Sequence, residues 1–177
     1  VSPILLIDGR SGSGKTELAT ALRDLTGAQL VRMDALYPGW GGLEAGSRAV
    51  TSMLTDGRWR EWDWASSRPG DWREVDLSQP LIVEGCGALS RANRELADHG
   101  VWVTLDDATR KRRALERDGE LYAPHWDRWA AQEWSFIVRE LPITLADESI
   151  DGRNVIDAVT RDVERWRAVL DPARVDG

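Results

Sequence analysis

Short, fully apolar runs alternate along this chain with stretches of helical periodicity, and turn residues separate the two. Residues 3–8 form an apolar run that ends in a glycine-rich turn, the pattern of a strand buried on both faces. A helix starts near Gly14, where Leu18, Leu22 and Leu25 recur at i, i+4 and i+7 and Gly27 offers a stop. Residues 29–33 predict a second strand leading into Asp34, and residues 43–55 a helix after the loop Pro38-Gly39-Trp40-Gly41-Gly42. Residues 80–84 read as another buried strand, 90–98 as a helix capped by Ser90, and 101–105 as the next strand. A charged helix over 106–118 follows, with Asp107 near its N-terminus as the helix dipole favours. Residues 126–140 predict one more helix and 149–152 a brief strand. A last helix over 155–170 sets Val155, Val159, Val163, Trp166 and Leu170 on one stripe. Between 56 and 76, Trp59, Trp62, Trp64 and Trp72 stand among charges with Pro69-Gly70 as a turn, and no period assigns the segment.

Strands that are apolar on both faces and alternate with helices imply an α/β fold, a mostly parallel sheet with helices on both sides. There is no repeat or linker, so residues 1–177 are expected to form one domain, with a small helical lid at about 107–140. The composition, 42% apolar and 30% charged, suits a globular chain with a real core. No stretch approaches the ~20 apolar residues of a membrane span. The first residues lack the basic start of a secretion signal, and the single Cys86 has no internal disulfide partner, so the cytoplasm is the expected compartment. A net charge of −7 disfavours a nucleic-acid partner. The local cluster Arg110-Lys111-Arg112-Arg113 with Arg117 suits a small anion better than a polymer.

Gly9-Arg10-Ser11-Gly12-Ser13-Gly14-Lys15-Thr16 matches the phosphate-binding pattern G-x-x-x-x-G-K-[ST] in full. Glycines let the backbone curl so that successive N–H groups point into one concavity, and the following helix adds its positive N-terminal end. Gly9, Ser11, Gly12, Ser13 and Gly14 would cradle the phosphates of ATP. Lys15 would reach the β- and γ-phosphates, and the Thr16 hydroxyl would ligate Mg2+. The motif lies directly between a buried strand and an amphipathic helix, which is the context it requires. A guanine-specifying N-K-x-D is absent, and the chain is short for a motor, which leaves the small kinases.

From here several segments carry a resemblance. The loop G-R-S-G-S-G-K-T, the Asp34-Ala35-Leu36-Tyr37 element and the strand Pro80-Leu81-Ile82-Val83-Glu84-Gly85 resemble those of the uridine–cytidine kinases and their phosphoribulokinase-like relatives. Asp107-Ala108-Thr109-Arg110-Lys111-Arg112-Arg113, with Arg117-Asp118 beyond, is similar to that family's lid helix, and Ala146-Asp147-Glu148-Ser149-Ile150-Asp151-Gly152 to its late strand. The markers stand in the family's order over nearly the whole chain, with Leu36 in place of a phenylalanine. The resemblance implies a small-molecule kinase with Asp34 as general base and Glu84 holding Mg2+ or the acceptor. It also implies Tyr37 against the acceptor, Arg110 on the nucleotide, and Arg113 and Arg117 as lid cations on the transferring phosphoryl group. The bland counterparts are turn-capping carboxylates at Asp34 and Glu84, a plain tyrosine at 37, and a solvated helix face.

The acceptor side follows the family less closely. Asp63 and Trp64 would bind a small-molecule acceptor, with Asp63 accepting from vicinal hydroxyls and Trp64 stacking on a ring. The ten tryptophans otherwise divide between packing and an acceptor wall, with Trp126 and Trp129 expected mainly to pack. A nucleoside, a sugar acid, a nucleotide and a vitamin precursor all remain as acceptors. A nucleotide-binding regulatory protein is the reading from another class.

Overall fold

The computed structural model describes residues 2–171 and Ala173. Five strands form one sheet in the order β2-β5-β1-β6-β7: β1 Ile4–Asp8, β2 Gln29–Arg32, β5 Leu81–Glu84, β6 His99–Thr104 and β7 Glu148–Asp151. Every neighbouring pair in it is parallel. Parallel strands need crossover connections, and the helices supply them: α1 Lys15–Thr26, α2 Leu43–Asp56, α3 Arg91–Glu95, α4 Asp107–Tyr122, α5 Trp126–Glu140, α6 Pro142–Leu145, α7 Val155–Arg161 and α8 Val163–Val169. β1 shows why the sheet is covered twice. Ile4 and Leu6 enter a core shared with α2 and α5, while Leu5 and Ile7 enter a second core with α1, α7 and α8. All five of its residues are buried.

The expected α/β architecture is therefore present, and its sheet is parallel throughout. The unassigned segment between 56 and 76 is an antiparallel hairpin, β3 Arg58–Asp63 and β4 Arg68–Glu74, separate from the main sheet. Trp59 packs it against the core on the α2 side, which is why its sequence shows neither a clean strand alternation nor a helical period. The expected final helix over 155–170 is two helices. Asp162 leaves helical dihedrals (φ −138°, ψ 55°), and after this break the fully buried Trp166 donates its indole N–H to the Ala158 carbonyl at 3.2 Å. The helix expected to end at 118 carries a break at Gly119 (φ 53°, ψ −132°) and then continues to Tyr122. Among the described residues no helix is long and apolar enough to cross a membrane.

Candidate active site

β1 ends at Asp8, and the chain turns at Gly9 into the phosphate loop before α1 begins at Lys15. The loop lies between two backbone walls. A side chain at Gly12 (φ 78°) would stand 2.2 Å from the Arg110 carbonyl, so α4 seats directly on the loop. On the other side a Cβ at Gly152, just past β7, would stand 1.8 Å from the Ser13 carbonyl. Backbone atoms cannot yield as a flexible side chain can. Gly152→Ala is expected to push Ser13 out of place, lowering the melting temperature and weakening MgATP binding at least ~10-fold, about 1.4 kcal/mol. Paired thermal melts and calorimetric titration check this, and unchanged affinity would show that the wall is soft.

Asp8 ties the loop to the neighbouring strand's exit. Its buried carboxylate accepts N–H bonds from Gly9 (2.6 Å), Gly87 (3.1 and 3.2 Å) and Leu89 (2.9 Å). Burial raises its pKa to about 6, partly opposed by those N–H groups and by Lys15. The folded state thus holds the Asp8 proton more tightly than the unfolded chain, whose carboxyl keeps an ordinary value of 3.8. Stability from this group is present at low pH and is lost as pH rises from about 4 to about 6, by about 3 kcal/mol in all. Denaturation midpoints of the parent and Asp8→Asn across pH 4–7 are expected to differ by an amount that changes through that window. A flat difference would remove Asp8 as the source.

Lys15 is buried, and its Nζ donates to the Arg10 carbonyl at 3.1 Å. Burial works against its charge, but the carboxylates Glu84, Glu133 and Asp8 around it prevail and its pKa is raised. The Thr16 hydroxyl donates to Glu84 Oε1 at 2.8 Å. Glu84 stands at the carboxyl end of β5, where burial raises its pKa against the pull of Lys15. One hydroxyl and one carboxylate side by side suit Mg2+, which takes few protein ligands and completes its shell with phosphate oxygens and water. Among the described residues there is no cluster of three or more His, Cys, Asp or Glu side chains able to cage a metal.

A cavity of ≈ 230 Å³ opens beside the loop. Ser11, Gly12, Lys15 and Thr16 form one side; Asp34, Glu84, Arg117 and Asp118 supply charge. Five aromatic residues complete it: Tyr37, Trp40, Trp64, Tyr122 and Trp129. Trp40 stacks on Tyr122 and on His125, with ring centroids 5.3 and 4.4 Å apart, and Trp129 meets the Tyr37 ring edge-on at 4.8 Å. Trp64 rides at the tip of the β3–β4 hairpin and donates its indole N–H to the Asp34 carbonyl at 2.7 Å. Cys86 also lines the cavity; burial pushes its thiol pKa up, and the thiol donates to the Gly9 carbonyl and to Glu133, both at 3.4 Å.

Most residues singled out in the sequence meet here: Ser11, Gly12, Lys15, Thr16, Asp34, Tyr37, Trp64, Glu84 and Arg117 all line the cavity. The Tyr37 hydroxyl is already given to the Cys86 carbonyl at 2.8 Å, so the ring rather than the hydroxyl faces an occupant. Asp63 lies outside the cavity lining. Its carboxylate closes the hairpin turn by accepting from the N–H groups of Ala65 and Ser66 and from the Ser66 hydroxyl. Arg110 and Arg113 also turn away: Arg110 is buried and donates to the Ser11 carbonyl (2.9 Å) and to Asp107 (2.5 Å), and Arg113 donates to the Gly152 carbonyl (2.9 Å). Both brace the loop's two walls. Trp40, Tyr122, Asp8, Gly152 and Glu133 were not singled out in the sequence. Glu133 alone left a signal, a carboxylate on the apolar stripe of α5 beside Trp126, Trp129 and Phe136.

No protein-family model matches the chain, and no curated protein matches it. Solved structures do. A possible uridine kinase from Bacillus stearothermophilus is similar at a TM-score of 0.57 and 21% identity, over 85% of this chain and 89% of that one. A sugar kinase from Janibacter sp. HTCC2649 is similar at 0.55 and 20% identity, over 98% of each chain. Shikimate kinase from Acinetobacter baumannii is similar at 0.55 and 17% identity, over 93% and 94%. With the intact phosphate loop and the parallel sheet, these likenesses establish that the chain has the P-loop kinase fold.

Proposed function

We propose that this chain is an ATP-dependent kinase that moves the γ-phosphoryl group to a hydroxyl of a small, ring-bearing acceptor. The observation that supports this most is the convergence on one cavity of the phosphate-loop residues Lys15 and Thr16, the carboxylates Asp34 and Glu84, and five aromatic walls. The loop N–H groups other than that of Ser11, which is given to Glu133, and Lys15 would bind the triphosphate, and Lys15 with Arg117 would stabilise charge on the phosphoryl group in flight. Thr16 and Glu84 would hold Mg2+, which neutralises phosphate charge when bound. Asp34 would accept the acceptor's hydroxyl proton as its oxygen bonds to the γ-phosphorus and the bond to the β-bridging oxygen breaks, leaving ADP. The aromatic walls exclude water, which would otherwise take the phosphoryl group, and they offer π-faces to a ring. That lining favours a nucleoside-like acceptor over a sugar acid, although the structural neighbours include kinases of several kinds.

The test is ADP formation by purified protein with Mg2+ across nucleosides, nucleotides, sugar acids and vitamin precursors. One acceptor is expected to raise the rate well above background. ATP binding with no productive acceptor in any class would instead favour a nucleotide-regulated binding protein.

A further inference from the structure

Glu133 is 3% exposed, yet it belongs to none of the catalytic groups above. Its Oε1 accepts the Ser11 backbone N–H at 2.6 Å, across 122 residues of chain, and the Cys86 thiol at 3.4 Å. Its Oε2 accepts from Arg10 Nε at 3.0 Å. A buried carboxylate is costly unless its oxygens are well paired, and an apolar residue would satisfy packing on that helix face more cheaply. The partners explain why a carboxylate stands there. Ser11 and Arg10 are both phosphate-loop residues, so the side chain grips the loop through its own backbone. One turn earlier on the same buried face, Trp129 forms part of the cavity wall.

We propose that Glu133 is a positioning residue: it fixes the phosphate loop in its anion-receiving shape before nucleotide arrives, and through α5 it joins that loop to the acceptor wall. The proposal rests on the phosphate-loop reading. A loop free to wander must be ordered at each binding event, at a cost in conformational entropy for every residue fixed. A loop already held by Glu133 avoids most of that cost, which is the advantage of preorganised donors. The carboxylate is matched by Arg10, so it does not leave an uncompensated negative charge beside the triphosphate.

Two variants separate the hydrogen bond from the charge. Glu133→Gln and Glu133→Met both remove the charge and both fill the space, but only glutamine keeps an oxygen facing the Ser11 N–H. In calorimetric titration with MgATP, Glu133→Gln is expected within about 3-fold of the parent. Glu133→Met is expected to bind at least ~10-fold more weakly than Glu133→Gln. Equal MgATP affinities in the two variants would overturn the proposal. A second measurement needs no variant: in ligand-free protein the Ser11 amide is expected to exchange with solvent at least ~100-fold more slowly than an open-loop amide. Free exchange at Ser11 overturns the proposal even where the methionine variant does not fold. A parent that binds no MgATP removes the phosphate-loop reading itself, whereas equal affinities remove only the role of Glu133.

Discussion

Lys15→Ala is expected to lower acceptor-dependent ADP formation about 10³-fold, the scale on which a single charged donor aimed at a transferring phosphoryl group acts. Two effects combine. The ammonium itself is lost from the cavity beside the loop. Its removal also takes away the cation that opposes the burial-driven rise in the Glu84 and Asp8 pKa values. Glu84 then holds its proton to higher pH and becomes a poorer acceptor for the Thr16 hydroxyl and, in the proposed reaction, a poorer ligand for Mg2+. Lys15→Arg is expected to fall at least ~10² short of the parent, because a planar guanidinium is bulkier and presents its charge in a fixed fork rather than as a compact point, at a buried position. Steady-state kinetics with MgATP titration measures both. Retention of more than a tenth of the parent rate by Lys15→Ala would remove the phosphate loop from the reaction.

Asp34→Asn is expected to reduce turnover by about 10²–10³ while leaving MgATP affinity within a few-fold. The asparagine keeps the shape and the backbone carbonyl that Trp64 uses, so the hairpin stays docked and the cavity keeps its wall. What it loses is the ability to take a proton. The split between an unchanged affinity and a lowered kcat separates proton removal from structural damage. An unchanged rate would mean that Asp34 only shapes its turn. Equal losses in rate and MgATP affinity would place it with the nucleotide instead.

Much of this arrangement was legible in the sequence because its signals are local. The phosphate loop declares itself in eight consecutive residues, and β1, α1 and β5 each carry a pattern that burial on one or two faces enforces. Asp34 and Glu84 were legible through the family resemblance, and the structure places Glu84 at the end of β5 and Asp34 in the turn after β2, at the edge of an open α/β sheet where ligands collect. Long-range partners were not. Spacing placed Arg110, Arg113 and Arg117 on one helix face, but only Arg117 reaches the cavity, since the first two are spent on the Ser11 and Gly152 carbonyls. Asp63 looked like a ligand because an aspartate between tryptophans resembles a recognition element; a turn used it first. Gly152 looked like an ordinary strand terminus, and its closeness to Ser13 exists only once β7 has joined the sheet.

The central place of β1 has a consequence for how the chain is made. Its sheet partners are β5, beginning at Leu81, and β6, beginning at His99, so the first strand emerges long before either neighbour exists. With β6 ending at Thr104, a ribosome moving at 5–20 residues per second takes roughly 5–20 s to deliver the stretch from Asp8 to that point. Until Glu84 has been made the apolar strand Ile4-Leu5-Leu6-Ile7 has no strand to pair with, and its second edge stays open until β6 follows. Slower synthesis therefore lengthens the time for which this strand is exposed to aggregation.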